Sequence, residues 1–318
     1  MTPLTAPRRA PGLSDASLGM WLGVLGVAIF ALTLPATRLA TGTQEAPQLS
    51  PGFVTLGRAA LAGLLSAVFL LATRSPWPQR RHWKPLAGAV LGNTLGYPLL
   101  LAFALRVVDA GHAAVITALL PLTTAAVAAW LLRQRASAGF WACAVAGSAL
   151  VVVFAMLRGG GSGGLLGLSW ADLLLVGAVV AASIGYVCGA QITPDLGAER
   201  VICWVCVLAL PFTLPGALWL WPTAPISAPA WGGFLYVGVF SMWIGFFAWY
   251  RGLALGGALR VSQTQLLQPF LSILAALTLL GEPVDGLTLA FAAAVVATVV
   301  LGKRLSAAAP SPSRKEKS

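Results

Sequence analysis

The chain has 318 residues, of which 58% are hydrophobic and 9% are charged, and it carries a formal net charge of +11. Soluble domains have about 45–50% apolar and about 25% charged residues, so this composition excludes a soluble protein and predicts an integral membrane protein surrounded by a lipid bilayer. The Lys and Arg residues lie almost entirely between the apolar segments, which is typical of membrane topology and not of nucleic-acid binding.

Ten apolar segments follow one another along the chain, each close to the roughly 20 residues that a transmembrane helix needs. The pattern predicts an all-α protein with ten transmembrane helices. The segments, numbered S1 to S10, run near Leu18–Leu39, Phe53–Ala72, Pro85–Leu105, His112–Leu132, Gly139–Leu157, Ala171–Gln191, Val201–Trp221, Trp231–Tyr250, Leu259–Leu280 and Gly286–Gly302. The remaining residues are predicted to form a disordered cytoplasmic leader (1–17), a Gly-rich linker (158–170) and a basic cytoplasmic tail (303–318).

One hairpin pattern occurs twice in the sequence. A proline opens an apolar run, a short polar turn follows, and a second apolar run completes the pattern; the two prolines, Pro121 and Pro269, are 148 positions apart. We therefore predict two homologous five-helix halves, 18–157 and 171–302. Because five is an odd number of crossings, the second half is expected to be inverted relative to the first. Inverted halves are typical of transporters.

The positions of the positive charges predict the orientation. With the amino terminus in the cytoplasm, sixteen Lys and Arg residues lie on the cytoplasmic side and three on the opposite side, while Arg58 lies within S2. An excess of positive charge marks cytoplasmic loops. We therefore expect both termini in the cytoplasm and the protein in a bacterial inner membrane.

Arg58 is the only charged residue well inside a predicted segment. An arginine at the centre of a membrane helix costs about 2.5–3.5 kcal/mol on insertion scales. Two interpretations stay open. Either Arg58 contacts an anionic group of a substrate, or its side chain extends to the headgroups and has only a structural role.

Uncharged polar residues recur at helical spacing in several segments. Residues three or four apart share one helical face, and polar faces are expected to point away from lipid. The candidate substrate-binding residues on these faces are Asn93 and Tyr97 in S3, Thr117, Pro121 and Thr124 in S4, Ser183 and Tyr186 in S6, and Gln265, Gln268 and Pro269 in S9. The alternative is that they only join helices through hydrogen bonds.

S8 carries Ser241, Gly245 and Trp249 at intervals of four. Trp249 is a further candidate, because its ring would stack on a substrate that reached this face. Its position near the cytoplasmic end also fits a tryptophan of the interfacial belt.

The segments lack the chemistry of an enzyme or a pump. All nine carboxylates and both histidines fall in gaps, in tails or at segment ends, so no intramembrane proton relay is visible. The chain has no Gly-rich phosphate loop and no metal-ligand spacing, and we expect no cofactor and no bound metal. A facilitator that uses the gradient of its substrate fits this inventory best.

These features resemble the EamA-type transporters of the drug/metabolite transporter superfamily. The resemblance is carried by the two inverted halves, by Gly57-Arg58-Ala59-Ala60 in S2 and by the hairpins at Pro121 and Pro269. It implies a basket of ten helices around a cavity that opens to either face in turn, and it implies export of amino acids, other metabolites or drugs. The lining positions that it implies are Tyr97, Leu120, Pro121, Ser183, Tyr186, Gln268 and Pro269. Some amino-acid exporters of the superfamily have tryptophan where this chain has Leu120.

The leading hypothesis is a secondary transporter, expected to be monomeric, that exports small metabolites, with amino acids as the leading class. Two alternatives stay open: an intramembrane enzyme that acts on a lipid-linked substrate, and a membrane scaffold that transports nothing.

Overall fold

A computed structural model describes residues 15–131, 138–158, 169–256 and 261–307. Within these ranges every regular element is a helix, and the only bridge between extended residues joins Gly42 and Pro47. Residues 15–17, which were assigned to the leader, already belong to the first helix, and the last helix continues five residues beyond Gly302. The rest of the predicted leader and tail, most of the linker and the turn at 132–137 lie outside the described residues.

The ten apolar segments of the sequence are all helical in their described residues. Their bounds are Asp15–Ala31 and Thr33–Thr41 for S1, Pro51–Ala72 for S2, Trp83–Ala89, Val90–Gly96 and Tyr97–Ala104 for S3, Ala110–Thr117 and Leu120–Leu131 for S4, Ala138–Arg158 for S5, Trp170–Leu196 for S6, Ala198–Trp219 for S7, Ala228–Leu235, Tyr236–Ile244 and Gly245–Gly256 for S8, Ser262–Leu267 and Gln268–Leu280 for S9, and Gly286–Ala307 for S10.

Seven of these segments, S1 to S4 and S6 to S8, are long and apolar enough to cross a membrane. S5, S9 and S10 contain shorter apolar helices in their described residues, namely Trp141–Phe154, Thr264–Leu280 and Gly286–Gly302. The chain is therefore a multi-pass, all-helical membrane protein.

In the described residues, five segments depart from a regular α-helix at some point along their length. S1 is interrupted at Leu32, S4 is interrupted between Thr117 and Leu120, and S9 begins as a 3₁₀-helix, Ser262–Leu267. S3 and S8 each contain a π-helical stretch, Val90–Gly96 and Tyr236–Ile244. Proline explains four of these places, because Pro35, Pro98, Pro121 and Pro269 have no N–H for the carbonyl four residues earlier. Nothing in the sequence of S8 explains its π-helix.

The segments pack in six main pairs. S1 packs against S8 and S9, S6 against S3 and S4, S2 against S7, and S5 against S10. If S1 to S5 exchange places with S6 to S10 in order, S1–S8 becomes S6–S3 and S1–S9 becomes S6–S4. The pairs S2–S7 and S5–S10 are unchanged, so the whole set stays the same. Small residues allow S3 and S6 to approach each other closely. A Cβ on Gly92 of S3 would lie 2.6 Å from the backbone nitrogen of Gly185 in S6.

Candidate functional site

Two small cavities lie side by side where S1, S2, S3, S4, S6, S8 and S9 meet. The first has a volume of about 30 Å³, and its polar lining is Thr33, Arg58, Asn93, Tyr97, Tyr186, Ser241 and Gln268, with Phe30, Leu120, Met242 and Phe246 as its apolar lining. The second, of about 20 Å³, is lined by Ala114, Thr117, Ala118, Leu120, Pro121, Gln265, Gln268, Pro269 and Ser272. Leu120 and Gln268 line both, so the two cavities form one central polar region.

Most of the sequence-predicted site residues meet in this region. The structure places Arg58, Asn93, Tyr97, Leu120, Tyr186 and Gln268 around the first cavity and Thr117, Leu120, Pro121, Gln265, Gln268 and Pro269 around the second. The breaks in S4 and S9 bring the two prolines to the same cavity although they are far apart in the chain.

Three predicted residues line neither cavity. The Thr124 hydroxyl donates a hydrogen bond to Ser183 Oγ at 3.2 Å, and this bond joins S4 to S6. Trp249 is only 6% exposed and packs edge-on against Phe30, with the ring centroids 6.4 Å apart. The interpretation of Trp249 as an interfacial belt residue is therefore wrong, because its ring is held between S8 and S1.

The guanidinium of Arg58 is buried, with 3% of the residue exposed. Its Nη2 donates to Ser241 Oγ at 3.1 Å, and Ser241 Oγ lies 2.8 Å from Thr33 Oγ1. Gly238 keeps S8 close to S2 here, since a Cβ at Gly238 would lie 2.8 Å from Leu61 Cδ2. The snorkelling interpretation of Arg58 is wrong, because the side chain is enclosed by protein instead of reaching the headgroups.

Sequence analysis did not place Thr33 and Ser241 in the site. Ser241 follows Asn93 by 148 positions, the spacing of Pro121 and Pro269, so the repeat could have indicated it. Thr33 had a weaker signal, since it lies two residues before Pro35. The same proline leaves the carbonyl of Ala31 without its helical donor, and the Ser272 hydroxyl of S9 donates to that carbonyl at 2.8 Å.

One end of the bundle carries a charged cluster, which we call the latch: Arg38, Asp109 and Glu282. Arg38 Nη1 donates to the carbonyls of Leu105 and Val108, the latter at 2.8 Å, and Nη2 lies 3.2 Å from Asp109 Oδ1. Arg38 Nε is 3.8 Å from Glu282 Oε1. The latch thus joins the end of S1 to the loop between S3 and S4 and to the turn before S10.

The Glu282 carboxylate also caps the first helix of S4. It accepts hydrogen bonds from the backbone N–H groups of Ala110 at 3.1 Å and Gly111 at 3.2 Å, where the helix dipole favours a negative charge. Burial raises the pKa of Glu282 above its usual range, and Asp109 adds to this, while the two N–H groups and Arg38 oppose it. Nearby, His112 Nε2 lies 2.6 Å from Asp172 Oδ1, which joins S4 to S6.

The opposite end contains a larger cavity of about 550 Å³. Its lining includes Phe247 and Ala248 of S8, whereas the neighbouring Phe246 lines the central region. No described residue lines both, so this cavity is separated from the centre. At the same end Asp195 lies 3.0 Å from His82 Nε2 and 3.3 Å from Arg81 Nη2.

An apolar bundle of helices with an enclosed polar centre is the arrangement of the class of multi-pass membrane transporters. The EamA-like transporter family matches residues 17–156 and, a second time, residues 169–302. The chain belongs to this family. The enzyme alternative has no support, because the family and the relatives below are transporters.

The chain is 40% identical over 289 residues to the uncharacterized transporter YdeK of Bacillus subtilis (strain 168), covering 90% of this chain and 97% of the relative. It is 28% identical over 303 residues to a probable terminal-alkyne amino-acid exporter of Streptantibioticus cattleyicolor, covering 92% of this chain and 98% of the relative. The fold is similar to a solved crystal structure with a TM-score of 0.61 and 20% identity, covering 91% of this chain and 97% of that chain.

Proposed function

We propose that the protein is a secondary transporter that exports small metabolites, with amino acids as the leading class, across the bacterial inner membrane. The observation that carries the proposal is the central region, in which polar side chains of seven segments face one enclosed space within an apolar bundle. Polar groups buried at this depth are costly unless they are paired or used. A relative named as a probable amino-acid exporter supports the choice of substrate class.

The proposed architecture has ten crossings in two inverted halves, 18–157 and 171–302. It is supported by the two family matches and by the set of helix pairs, which is unchanged when the halves are exchanged. The π-helices fall in the third segment of each half and the proline breaks in the fourth. With both termini in the cytoplasm, the latch end faces outward.

Transport then proceeds by alternating access. The central cavities have volumes of about 30 and 20 Å³, which is room for a water molecule or two and not for a metabolite. A substrate therefore enters only when helices separate toward one end. The latch joins three parts of the chain at the end that we propose to face outward, so we expect the first opening on export to be toward the cytoplasm.

The test is counterflow in proteoliposomes that contain a single unlabelled amino acid. Labelled amino acid is expected to accumulate against the unlabelled pool. Gln265→Ala and Gln268→Ala are each expected to reduce the accumulation about two- to tenfold, since a lost hydrogen bond costs about 0.5–1.5 kcal/mol. Gln191→Ala, at an exposed glutamine, is the matched control.

Normal counterflow by the Gln265 and Gln268 variants would remove these residues from the site. A failure of the reconstituted wild type to exchange amino acids, amines, nucleosides or sugars would favour the scaffold alternative.

A further inference from the structure

The central region contains one fixed positive charge and no fixed negative charge among the described residues. The eight carboxylates that the structure describes lie at the ends of segments or between them: Asp109, Asp172, Glu282 and Asp285 toward the latch, Asp195 and Glu199 toward the opposite end, Asp15 at the start of S1 and Glu45 in the loop after S1. Arg58 lies between them with 3% exposure. The described part of the chain therefore supplies no counter-ion for Arg58.

The hydrogen bonds of Arg58 are also incomplete. A guanidinium has five N–H donors, and the side-chain bond that Arg58 makes goes to the neutral Ser241. Arg58 Nε is buried and has no hydrogen-bond partner among the described residues. A buried, unpaired charge is a strongly unfavourable group, so an anion that entered the cavity would gain both a charge partner and unused donors.

We propose that Arg58 binds the carboxylate of a zwitterionic substrate and that this contact selects amino acids from other small metabolites. The proposal rests on the proposed transport function and specifies its substrate class. A planar guanidinium matches a carboxylate through two parallel hydrogen bonds. Ser241 positions the two guanidinium N–H groups that form this fork, because its hydroxyl lies between Arg58 Nη2 and Thr33.

The second cavity provides the acceptors that an ammonium group needs. Gln265 and Gln268 line it with amide side chains, and each amide oxygen accepts hydrogen bonds. Pro121 and Pro269 line it as well, and Pro121 has no N–H to donate to the carbonyl of Thr117. A zwitterion with its carboxylate at Arg58 would thus have its ammonium near Gln268, which borders both cavities.

The apolar lining of the first cavity indicates the side chain of the substrate. Phe30, Met242 and Phe246 face the same space as Arg58, and methionine adapts to apolar groups of varied shape. We therefore infer that neutral amino acids with apolar side chains are preferred over acidic or basic ones, since a second charge would find no partner in the described lining.

The experiment measures counterflow of a labelled mixture of leucine, methionine and phenylalanine in proteoliposomes. For each of the three amino acids, the competitors are the unlabelled amino acid, its carboxamide and the corresponding amine without the carboxylate. Removing one partner of a buried, hydrogen-bonded charge pair lowers affinity at least about 30-fold. We expect the acids to compete at least about 30-fold better than the amides or amines.

Variants test whether Arg58 is the origin of this selectivity. Arg58→Lys keeps the charge but loses the fork, so the acid-to-amide ratio is expected to fall at least about fivefold. Ser241→Ala is expected to lower the same ratio and removes only a neutral hydroxyl, so it serves where Arg58 variants do not fold. Ser66→Ala, at a buried hydroxyl of S2 outside the cavity lining, is expected to leave the ratio unchanged.

Two results would overturn the proposal. If counterflow proceeds but amides or amines compete as well as acids, the carboxylate contact is refuted while the transport function stands. If both Arg58→Lys and Ser241→Ala keep the wild-type ratio, Arg58 is not the selecting group. Counterflow by the wild type of another class of compound, without amino acids, would also refute the carboxylate contact.

Discussion

The latch makes a quantitative prediction about Arg38. In the closed end Arg38 donates to two backbone carbonyls and pairs with Asp109 and Glu282. Net contributions of about 1.5–3 kcal/mol for each bond from a charged donor, and of about 0–1 kcal/mol for the half-exposed Asp109 pair, give a lower estimate of about 3 kcal/mol. Arg38→Met is therefore expected to raise the population of the opened end roughly 100-fold.

The assay is alkylation of a cysteine placed beneath the latch. Ala114 is fully buried and lines the second central cavity, so Ala114→Cys, with the four buried native cysteines replaced, reports opening in detergent-purified protein. Arg38→Met is expected to accelerate its alkylation by about two orders of magnitude. The matched control is Arg251→Met, whose side chain is 64% exposed and 3.8 Å from Glu199, with an expected change below about fivefold.

Equal alkylation rates in Arg38→Met and in the parent protein, with both proteins monodisperse, would show that the latch does not hold this end closed. A large acceleration by Arg251→Met as well would show that the label reports general loosening of the bundle and not the opening of one end.

Three further predictions concern pH, close packing and the proline in S1. Because burial raises the pKa of Glu282 in the latch, where it faces Arg38 and Asp109, the closed end binds a proton more tightly than an opened end with an ordinary pKa of about 4.3. Closure of this end is thus favoured at low pH, and the gain is lost as pH rises through the raised pKa of Glu282. Alkylation of Ala114→Cys, normalised to that of an exposed cysteine, is therefore expected to slow on acidification. The same pH response in Glu282→Gln would contradict this explanation. Gly92→Ala is expected to lower stability by about 1–3 kcal/mol because its Cβ would meet the backbone of S6, whereas Gly232→Ala, which meets nothing within 4 Å, is expected to leave the thermal midpoint nearly unchanged. Ser272→Ala is expected to lower the stability of the protein by about 1–3 kcal/mol, because it leaves the Ala31 carbonyl unpaired. In the Pro35→Ala background, where residue 35 again has an N–H, the same substitution is expected to lower stability less than half as much. Equal losses in both backgrounds, measured by thermal unfolding, would disprove this role of the proline.

The sequence predicted the elements of the fold because their signals are local. Apolar runs of membrane length and the two proline-led hairpins correspond to helices with breaks before Pro121 and Pro269. Their polar stripes also contained more than half of the polar residues that line the two central cavities. Ten crossings, inverted halves and cytoplasmic termini stay predictions, since membrane sidedness is not a property of helix packing alone.

The features that were not predicted depend on contacts between distant segments. Arg58 and Ser241 are 183 positions apart, and periodicity along S2 shows which face holds Arg58 but not whether that face meets lipid or another helix. The same ambiguity made Trp249 look interfacial, although it packs against S1. The π-helix of S8 left no sequence signal, because no proline lies within Tyr236–Ile244.

The irregular helices and the buried arginine together explain how a closed centre can still be ready to bind. The Ala31 carbonyl, which Pro35 deprives of its donor, is paired within the protein by Ser272, and that junction between S1 and S9 is stable without substrate. Arg58 is different, because its partner Ser241 is neutral and Nε is unpaired among the described residues. The unfavourable energy of that buried charge is present in this structure, in which the central cavities are too small for a substrate. It is relieved when a carboxylate binds. A substrate with a carboxylate therefore stabilises a state whose central cavity is large enough to hold it more than it stabilises the state with small cavities. A ligand shifts a conformational equilibrium only through such a difference in affinity between two states.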